Sequence, residues 1–449
     1  MDRTRLQQLL ARESAEAERR NPRSRAAYER AEHLFGRVPM TWMNKTAGAF
    51  PRYLDSARGA RVTDIDGHEY IDFCLGDTGA MAGHSPEVVA EAVRTRFAES
   101  GGATAMLPTE DAEWVGAELT RRFGLARWSF SLTATDANRW SIRLARAVTG
   151  RPKILVNSYS YHGSVDESLI VVGPDGHGTA RPGNVGAPCD VTLTSRVAEF
   201  NDLEQLEREL AHGDVAAVLM EPALTNIGIV LPEPGYLEGV RDLTRRYGTL
   251  LINDETHTFS AGPGGCTAAW GLEPDMLTIG KAIGGGIPAG AYGLSAELAD
   301  KLLGRADLDL VDMGGVGGTL AGNALSTAAT RATLEHVLTD AAFGAMAKLS
   351  ERFEAGVRAG IDAWDLPWSV SRLGARTEYR FADPAPRTGT ESAAAADTEL
   401  EDFLHLYLAN RGILLTPFHN MALMCPATTE RDVDRHTEVF AAALAELVG

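Results

Sequence analysis

The stretch TLLINDETHT, residues 249–258, decides the fold. Its opening residues carry no charge and run through three aliphatic side chains, the pattern of a short strand buried on both faces, and the run stops abruptly at Asn253 and Asp254. A carboxylate at that point is either a structural acid or helix cap, or a group that faces a ligand. The second reading has weight because open α/β sheets bind ligands outside the carboxyl ends of their strands. Upstream, VAAVLM at 215–220 and KILV at 153–156 repeat the strand pattern. Between them and TLLI, Tyr236, Leu237, Val240, Leu243 and Tyr247 recur at helical spacing. An earlier helix from about residue 136 carries Ala137, Trp140, Ser141, Leu144, Ala145 and Val148 on one stripe. Apolar strands alternating with amphipathic helices predict an α/β architecture with a mainly parallel central sheet covered on both faces.

Toward the amino terminus, RVTDIDGHEYIDF reads as a hairpin around Asp66 and Gly67, and a helix starting at Ser85 and Pro86 places Val89, Val93 and Phe97 on one face. Residues 1 to about 35 read as a charged amphipathic helix leading into an irregular arm. Beyond about 335 the pattern changes to long helices and a small sheet around TEYRF. DPAPRTGTESAAAADTE at 383–399 is poor in core-forming residues and reads as an exposed loop. The last helix is announced by Thr429 and Asp432, the spacing of a capping box.

Composition narrows the function. The chain has 449 residues and a net charge of −18, with no basic stripe, so a nucleic-acid partner is not expected. No apolar stretch approaches the ~20 residues of a membrane span, and the amino terminus lacks a signal-peptide core. Cys74, Cys189, Cys266 and Cys425 are scattered without the pairing of a zinc site or a disulfide scaffold, so no metal site and a reducing, cytoplasmic setting are expected. Glycine, at 46 residues, exceeds the usual share of about 7% and needs a destination where backbone turns sharply or approaches something closely.

Four polar clusters stand at strand ends or glycine-rich turns. Asp254 is the first. The second is TIGKAIGGGIPAGAYG at 278–293, where Lys281 sits among glycines; it is either a solvated lysine or one desolvated enough to serve as a Schiff-base nucleophile. The third is FSLTATDANRW, in which Thr133, Ala134 and Thr135 precede a helix and form either an N-cap or an anion site suited to a phosphate. The fourth is NSYSYHG at 157–163, where Tyr161 either packs in the core or stacks on a flat ligand, with His162 beside it. A phosphate site, an aromatic stacker, a buried acid and a desolvated amine in one crevice are together what pyridoxal 5'-phosphate requires.

The run EPALTNIGIVLPEPGYLEGVRDLTRRYGTLLINDETHT at 221–258, with TIGKAIGGGIPAGAYG and GGTLAGN at 317–323, resembles the class III, or omega, aminotransferases of pyridoxal-phosphate fold type I. Glutamate-1-semialdehyde 2,1-aminomutase is the most similar member by motif. The resemblance runs from about 55 to 330 and continues more weakly to the carboxyl terminus. It implies a large cofactor domain over 61–335 and a smaller α+β domain built from 1–60 and 336–449. It implies that Lys281 bonds the cofactor as a Schiff base and shuttles the proton, that Asp254 partners the pyridine nitrogen, and that Tyr161 stacks on the ring. Asn226 would lie near the phenolic oxygen, and Ala134 and Thr135 would bind the phosphate. Thr319 would reach the phosphate of a neighbouring subunit, implying a homodimer with active sites at the interface.

The sequence departs from the family pattern in three places. Ser-Gly-Thr-Glu reads here Thr133, Ala134, Thr135, Asp136, and Asp-Glu-Val reads Asp254, Glu255, Thr256, so either a hydroxyl or a methyl faces the ring. The aminomutase segment that supplies a substrate-carboxylate arginine reads VPMTWMNK, residues 38–45, with Trp42 and Lys45 but no arginine. That favours an aminotransferase working in two half-reactions on small-molecule amines and carbonyls, with intramolecular 2,1-aminomutation as the alternative. Trp42 is either a pocket wall or a core residue, Arg376 a substrate-carboxylate ligand or a structural ion pair, and His419 with Asn420 a further pocket candidate. A nicotinamide enzyme is disfavoured because GPGGCTAAW at 262–270 lacks the spacing and the preceding strand. A P-loop is disfavoured because Ala282, not Ser or Thr, follows Lys281.

Overall fold

The computed structural model describes residues 2–186, 190–310 and 317–449; Cys189, and Gly314 and Gly315 of the glycine-rich run, lie outside them. The chain divides into two compact units. One holds the residues up to Pro86 with Gly344–Ala385 and Ala395–Gly449, and the other holds Glu87–Phe343 with Pro386–Ala394. The boundary expected near 60 falls at 86, because strand Glu69–Asp72 pairs in parallel with Ile413–Leu414 and ties the hairpin to the carboxyl-terminal residues.

The second unit is built on a seven-stranded sheet in the order Arg127–Ser131, Gly290–Leu294, Met276–Ile279, Leu250–Asp254, Val215–Met220, Lys153–Asn157, Ser195–Ala198. Only Gly290–Leu294 runs against the others. Alternate side chains serve opposite faces, as the two-residue period of a strand requires. Ile154, Val156, Leu219 and Ile252 pack with Ala137, Leu144 and Ala145 of helix Ala134–Thr149. Leu155, Val218 and Leu251 pack with Leu206, Tyr236, Val240 and Leu243 of the helices on the other side. Every residue of Val215–Met220 is buried, which explains why that strand reads as an uninterrupted apolar run.

The first unit carries the expected small sheet, with Arg376–Arg380 between Ser369–Leu373 and Met421–Leu423. The amino-terminal helix is two helices, Arg3–Arg20 and Pro22–Arg30, because Pro22 has no N–H to continue the first and is well placed to open the second. Asp66 of the hairpin accepts from Arg23 N at 2.7 Å and Ser24 N at 3.0 Å, capping that second helix. Thr429 and Asp432 form the capping box. Among the described residues no helix is long and apolar enough to cross a membrane.

Two expectations fail for identifiable reasons. Phe97 is 67% exposed: helix Glu87–Arg94 passes into a wider π-helical turn, Thr95–Ser100, which rotates Phe97 off the face of Val89. The 383–399 stretch is not a free loop, since Gly389–Ala394 is helical and Thr398 opens a further helix capped by Asp397. Gly389 is buried, and a Cβ there would meet Ser158 O at 2.0 Å; Ser392 Oγ donates to Ile227 O at 2.5 Å. The small residues that suggested a weak core are what lets this backbone dock.

His436 of the last helix is buried among aromatic rings, 4.2 Å from Phe353, 5.7 Å from Phe440 and 5.9 Å from Phe73 between centroids. Neither ring nitrogen has a hydrogen-bond partner among the described residues, and burial lowers its pKa to about 3 from 6.5. The fold therefore holds the neutral ring, and stability full above pH 6.5 is lost as the pH falls toward 3. Replacing His436 with Leu is expected to shrink the stability difference between about pH 7.5 and 5 by about 2 kcal/mol in urea titrations.

Candidate functional site

Asp254 ends its strand opposite Thr278 of the neighbouring parallel strand, and Lys281 follows that neighbour's end at Ile279. Topology thus brings the acid and the amine to the same end of adjacent strands. The Asp254 carboxylate is buried, and three donors meet it. Asn138 Nδ2 and His162 Nδ1 each lie 2.9 Å from Oδ2, and Thr256 N lies 3.1 Å from Oδ1. Burial pushes the carboxyl up, but the hydrogen bonds from His162, Thr256 and Asn138 outweigh it and hold the group at about 2. Asp254 is consequently ionised throughout the neutral range.

Asn138 works twice. Its Nδ2 also donates to His162 O at 3.1 Å, and its Oδ1 accepts from Thr278 Oγ1 at 2.7 Å, so the helix, the strand and the Tyr161-His162-Gly163 turn are fixed to one another. Glu221, buried at the end of Val215–Met220, accepts from Tyr161 N at 3.2 Å and from Thr225 Oγ1. Burial pushes the Glu221 carboxyl up. Tyr161 is 39% exposed, so its ring is not a core residue. Asn226, half-buried, sits in the short hairpin closed by the Leu224–Val230 bridge, next to Thr225.

The helix start joins the same neighbourhood. Thr133 Oγ1 accepts from Asp136 N at 3.2 Å, so the N-cap reading holds for Thr133 and leaves Ala134 and Thr135 in the first turn. Thr135 Oγ1 accepts from Ser164 N at 3.3 Å. Gly163 has φ +77°, and a Cβ on it would lie 1.9 Å from that oxygen; only glycine lets the aromatic motif close over the helix start. A Cβ on Gly280 would likewise meet Ala134 N at 2.9 Å, so the turn carrying Lys281 presses against the same helix. Lys281 itself adopts φ +49°, a left-handed conformation costing about 1–2 kcal/mol for a residue with a Cβ. Its Nζ lies 2.8 Å from His257 Nε2.

These residues fit pyridoxal phosphate. An ionised, desolvated carboxylate suits a protonated pyridine nitrogen, a helix first turn suits the phosphate, and a lysine amine lies at the end of the neighbouring strand. Thr256 Oγ1 and His162 Nε2 are buried without a partner among the described residues, polar atoms left over in a protein-only site. The residues sequence reasoning did not place are Asn138, Glu221, Thr278 and His257. His257 is the one with a sequence signal, three residues after Asp254.

The remaining candidates divide between the two units. Thr319 is exposed, on the wall of an open cleft of about 740 Å³ with Phe130, Trp140 and Asn323. Trp42, Arg376 and His419 belong to the first unit. The Trp42 ring stands edge-on to Phe418 at 5.7 Å, and Lys45 Nζ lies 5.7 Å from the same ring. Arg376 is fully buried and donates to Thr78 Oγ1. His419 Nδ1 lies 3.2 Å from Glu378 Oε1, both buried, and Asn420 lies beside His405 at 3.3 Å.

Comparison with known proteins gives the same answer for the family. The model of class III aminotransferases matches residues 42–444. A glutamate-1-semialdehyde 2,1-aminomutase of Anaeromyxobacter dehalogenans (strain 2CP-1) is 33% identical over 94% of this chain and 98% of its own. Among solved structures, an alanine-for-lysine variant of a glutamate-1-semialdehyde-aminomutase from Pseudomonas aeruginosa PAO1, in complex with PMP, is 48% identical with a TM-score of 0.96, covering 100% of this chain and 99% of that one. An omega-transaminase from Sphaerobacter thermophilus is 31% identical with a TM-score of 0.85, over 95% and 98%. The chain belongs to the class III aminotransferases, fold type I enzymes that use pyridoxal phosphate.

Proposed function

We propose that this enzyme moves an amino group between adjacent carbons of one small amino aldehyde, an intramolecular 2,1-aminomutation of the glutamate-1-semialdehyde type, with Lys281 and Asp254 as its catalytic residues. The bound cofactor supplies an electron-withdrawing ring that stabilises negative charge on a substrate carbon. Lys281 Nζ would bond the cofactor's aldehyde carbon and, once released, take a proton from the amine-bearing carbon and return it. Asp254 would keep the pyridine nitrogen protonated, and His162 and Asn138 keep Asp254 ionised. Ala134 and Thr135 would hold the phosphate, Tyr161 would cover the ring, and Asn226 would lie toward its phenolic oxygen.

The observation that carries the isomerising reading is the match, over 94% of this chain, to a relative named for that reaction. It displaces the intermolecular transaminase expected from the sequence as the first choice. Transamination stays the second reading, favoured by the absence of arginine from residues 38–45 and by the 31% identical omega-transaminase. We further propose a homodimer working in a reducing cytoplasm. Exposed Met106 and Leu107 line the cleft of Thr319, and Cys74, Cys266 and Cys425 form no disulfide.

Incubation of the purified enzyme with glutamate 1-semialdehyde and no added keto acid is expected to yield the 2,1-isomer, followed by amino acid analysis. Product that appears only when a keto acid is supplied supports transamination instead. Lys281→Ala is expected to lower turnover by at least about 10³-fold, within the range of lost general-base catalysis. Gly163→Ala forces a Cβ against Thr135, and equilibrium dialysis is expected to show roughly tenfold weaker cofactor retention.

A further inference from the structure

His257 Nε2 approaches Lys281 Nζ to 2.8 Å, a contact that holds neither the ring nitrogen's carboxylate nor the phosphate turn. His257 is 8% exposed, so water does not compete freely for this pair. Two nitrogens at that separation need a hydrogen between them. An ammonium and an imidazolium are both donors only, so the doubly protonated pair has no acceptor and repels itself; the contact is satisfied when the pair holds one proton fewer. The backbone fixes the arrangement from both sides: Lys281 is held at φ +49° behind Gly280, and His257 stands three residues beyond the strand end that presents Asp254.

We infer that His257 is a positioning residue that aims Lys281 Nζ and exchanges a proton with it. The inference rests on Lys281 being the amine that bonds the cofactor. With the proton on nitrogen Nζ, the ammonium donates to the lone pair of Nε2. When the proton passes, one N–H bond breaks at Nζ and one forms at Nε2, and Nζ is left as the neutral amine able to attack a carbonyl carbon. The charged groups on surrounding elements have partners of their own. Asp254 is bound by His162 and Asn138, Glu255 by Thr258 and Thr267, and Glu221 by Thr225 and Tyr161 N. Arg331 and Glu335, beyond the Lys281 turn, pair with each other at 3.2 Å. Burial keeps Tyr292, on the adjoining strand, above the usual phenol range.

The test is the rate at which the full-length chain, freed of cofactor, captures pyridoxal phosphate covalently. Adducts are trapped with borohydride and counted by mass across about pH 6 to 10. His257→Ala is expected to slow capture about tenfold near pH 7 and to move the rise in rate to higher pH, so that the deficit closes toward pH 10. His257→Gln, whose amide oxygen accepts an N–H but takes no proton, is expected to match the wild-type rate at pH 10 and the alanine variant near pH 7. It also decides the matter if the alanine variant does not fold by circular dichroism. Profiles that superimpose on the wild type, or a uniform slowing without change of shape, overturn the proposal. Absence of any trapped adduct on Lys281 in the wild type overturns the functional reading beneath it, a result distinct from an unchanged profile.

Discussion

An ionised carboxylate buried away from water costs several kcal/mol unless donors replace the water it has lost, and the second unit is organised around meeting that requirement at Asp254. Three donors do so, from three different elements: a helix through Asn138, a turn through His162 and the chain beyond the strand through Thr256. Each donor is itself held. Asn138 is fixed by Thr278 and by the backbone of His162, so withdrawing any one of them would loosen the rest. The result is a negative charge that burial alone would neutralise, kept in place at the end of a central strand.

The surrounding backbone follows from bringing these pieces close. Gly163 and Gly280 allow the aromatic turn and the lysine turn to press against the start of the same helix, where a Cβ would collide with Thr135 or Ala134. Two other buried acids of this unit, Glu221 and Glu255, are pushed toward the protonated form by burial despite their own hydrogen bonds. Burial acts in the same direction on all three acids, and only at Asp254 do the hydrogen bonds outweigh it.

Much of this was legible in the sequence. Strands buried on both faces leave uninterrupted apolar runs, so VAAVLM, KILV and TLLI mark the sheet, and an acid stands where TLLI ends, with a lysine set among glycines downstream. Features set by tertiary juxtaposition were not legible. Asn138 looks like any polar residue on a helix, and nothing local shows that its amide reaches a strand end more than a hundred residues away. Gly389 and its small neighbours read as loop because composition registers missing bulk but not the close backbone approach that bulk would prevent. Phe97 was misplaced because helical periodicity assumes a constant pitch, which the π-helical turn breaks. His257 carried a visible signal, but its meaning depends on where Lys281 Nζ lies.

The central claim is that Asp254 stays charged and imposes a proton on the ring nitrogen of the bound cofactor. Loading the enzyme with ¹⁵N-labelled pyridoxal phosphate and following the ring nitrogen by NMR from about pH 6 to 9 tests it directly. The account predicts a protonated ring nitrogen throughout this range in the wild type, and loss of that proton within it in Asp254→Asn. A ring nitrogen unprotonated in the wild type, or equally protonated in both proteins, would contradict it.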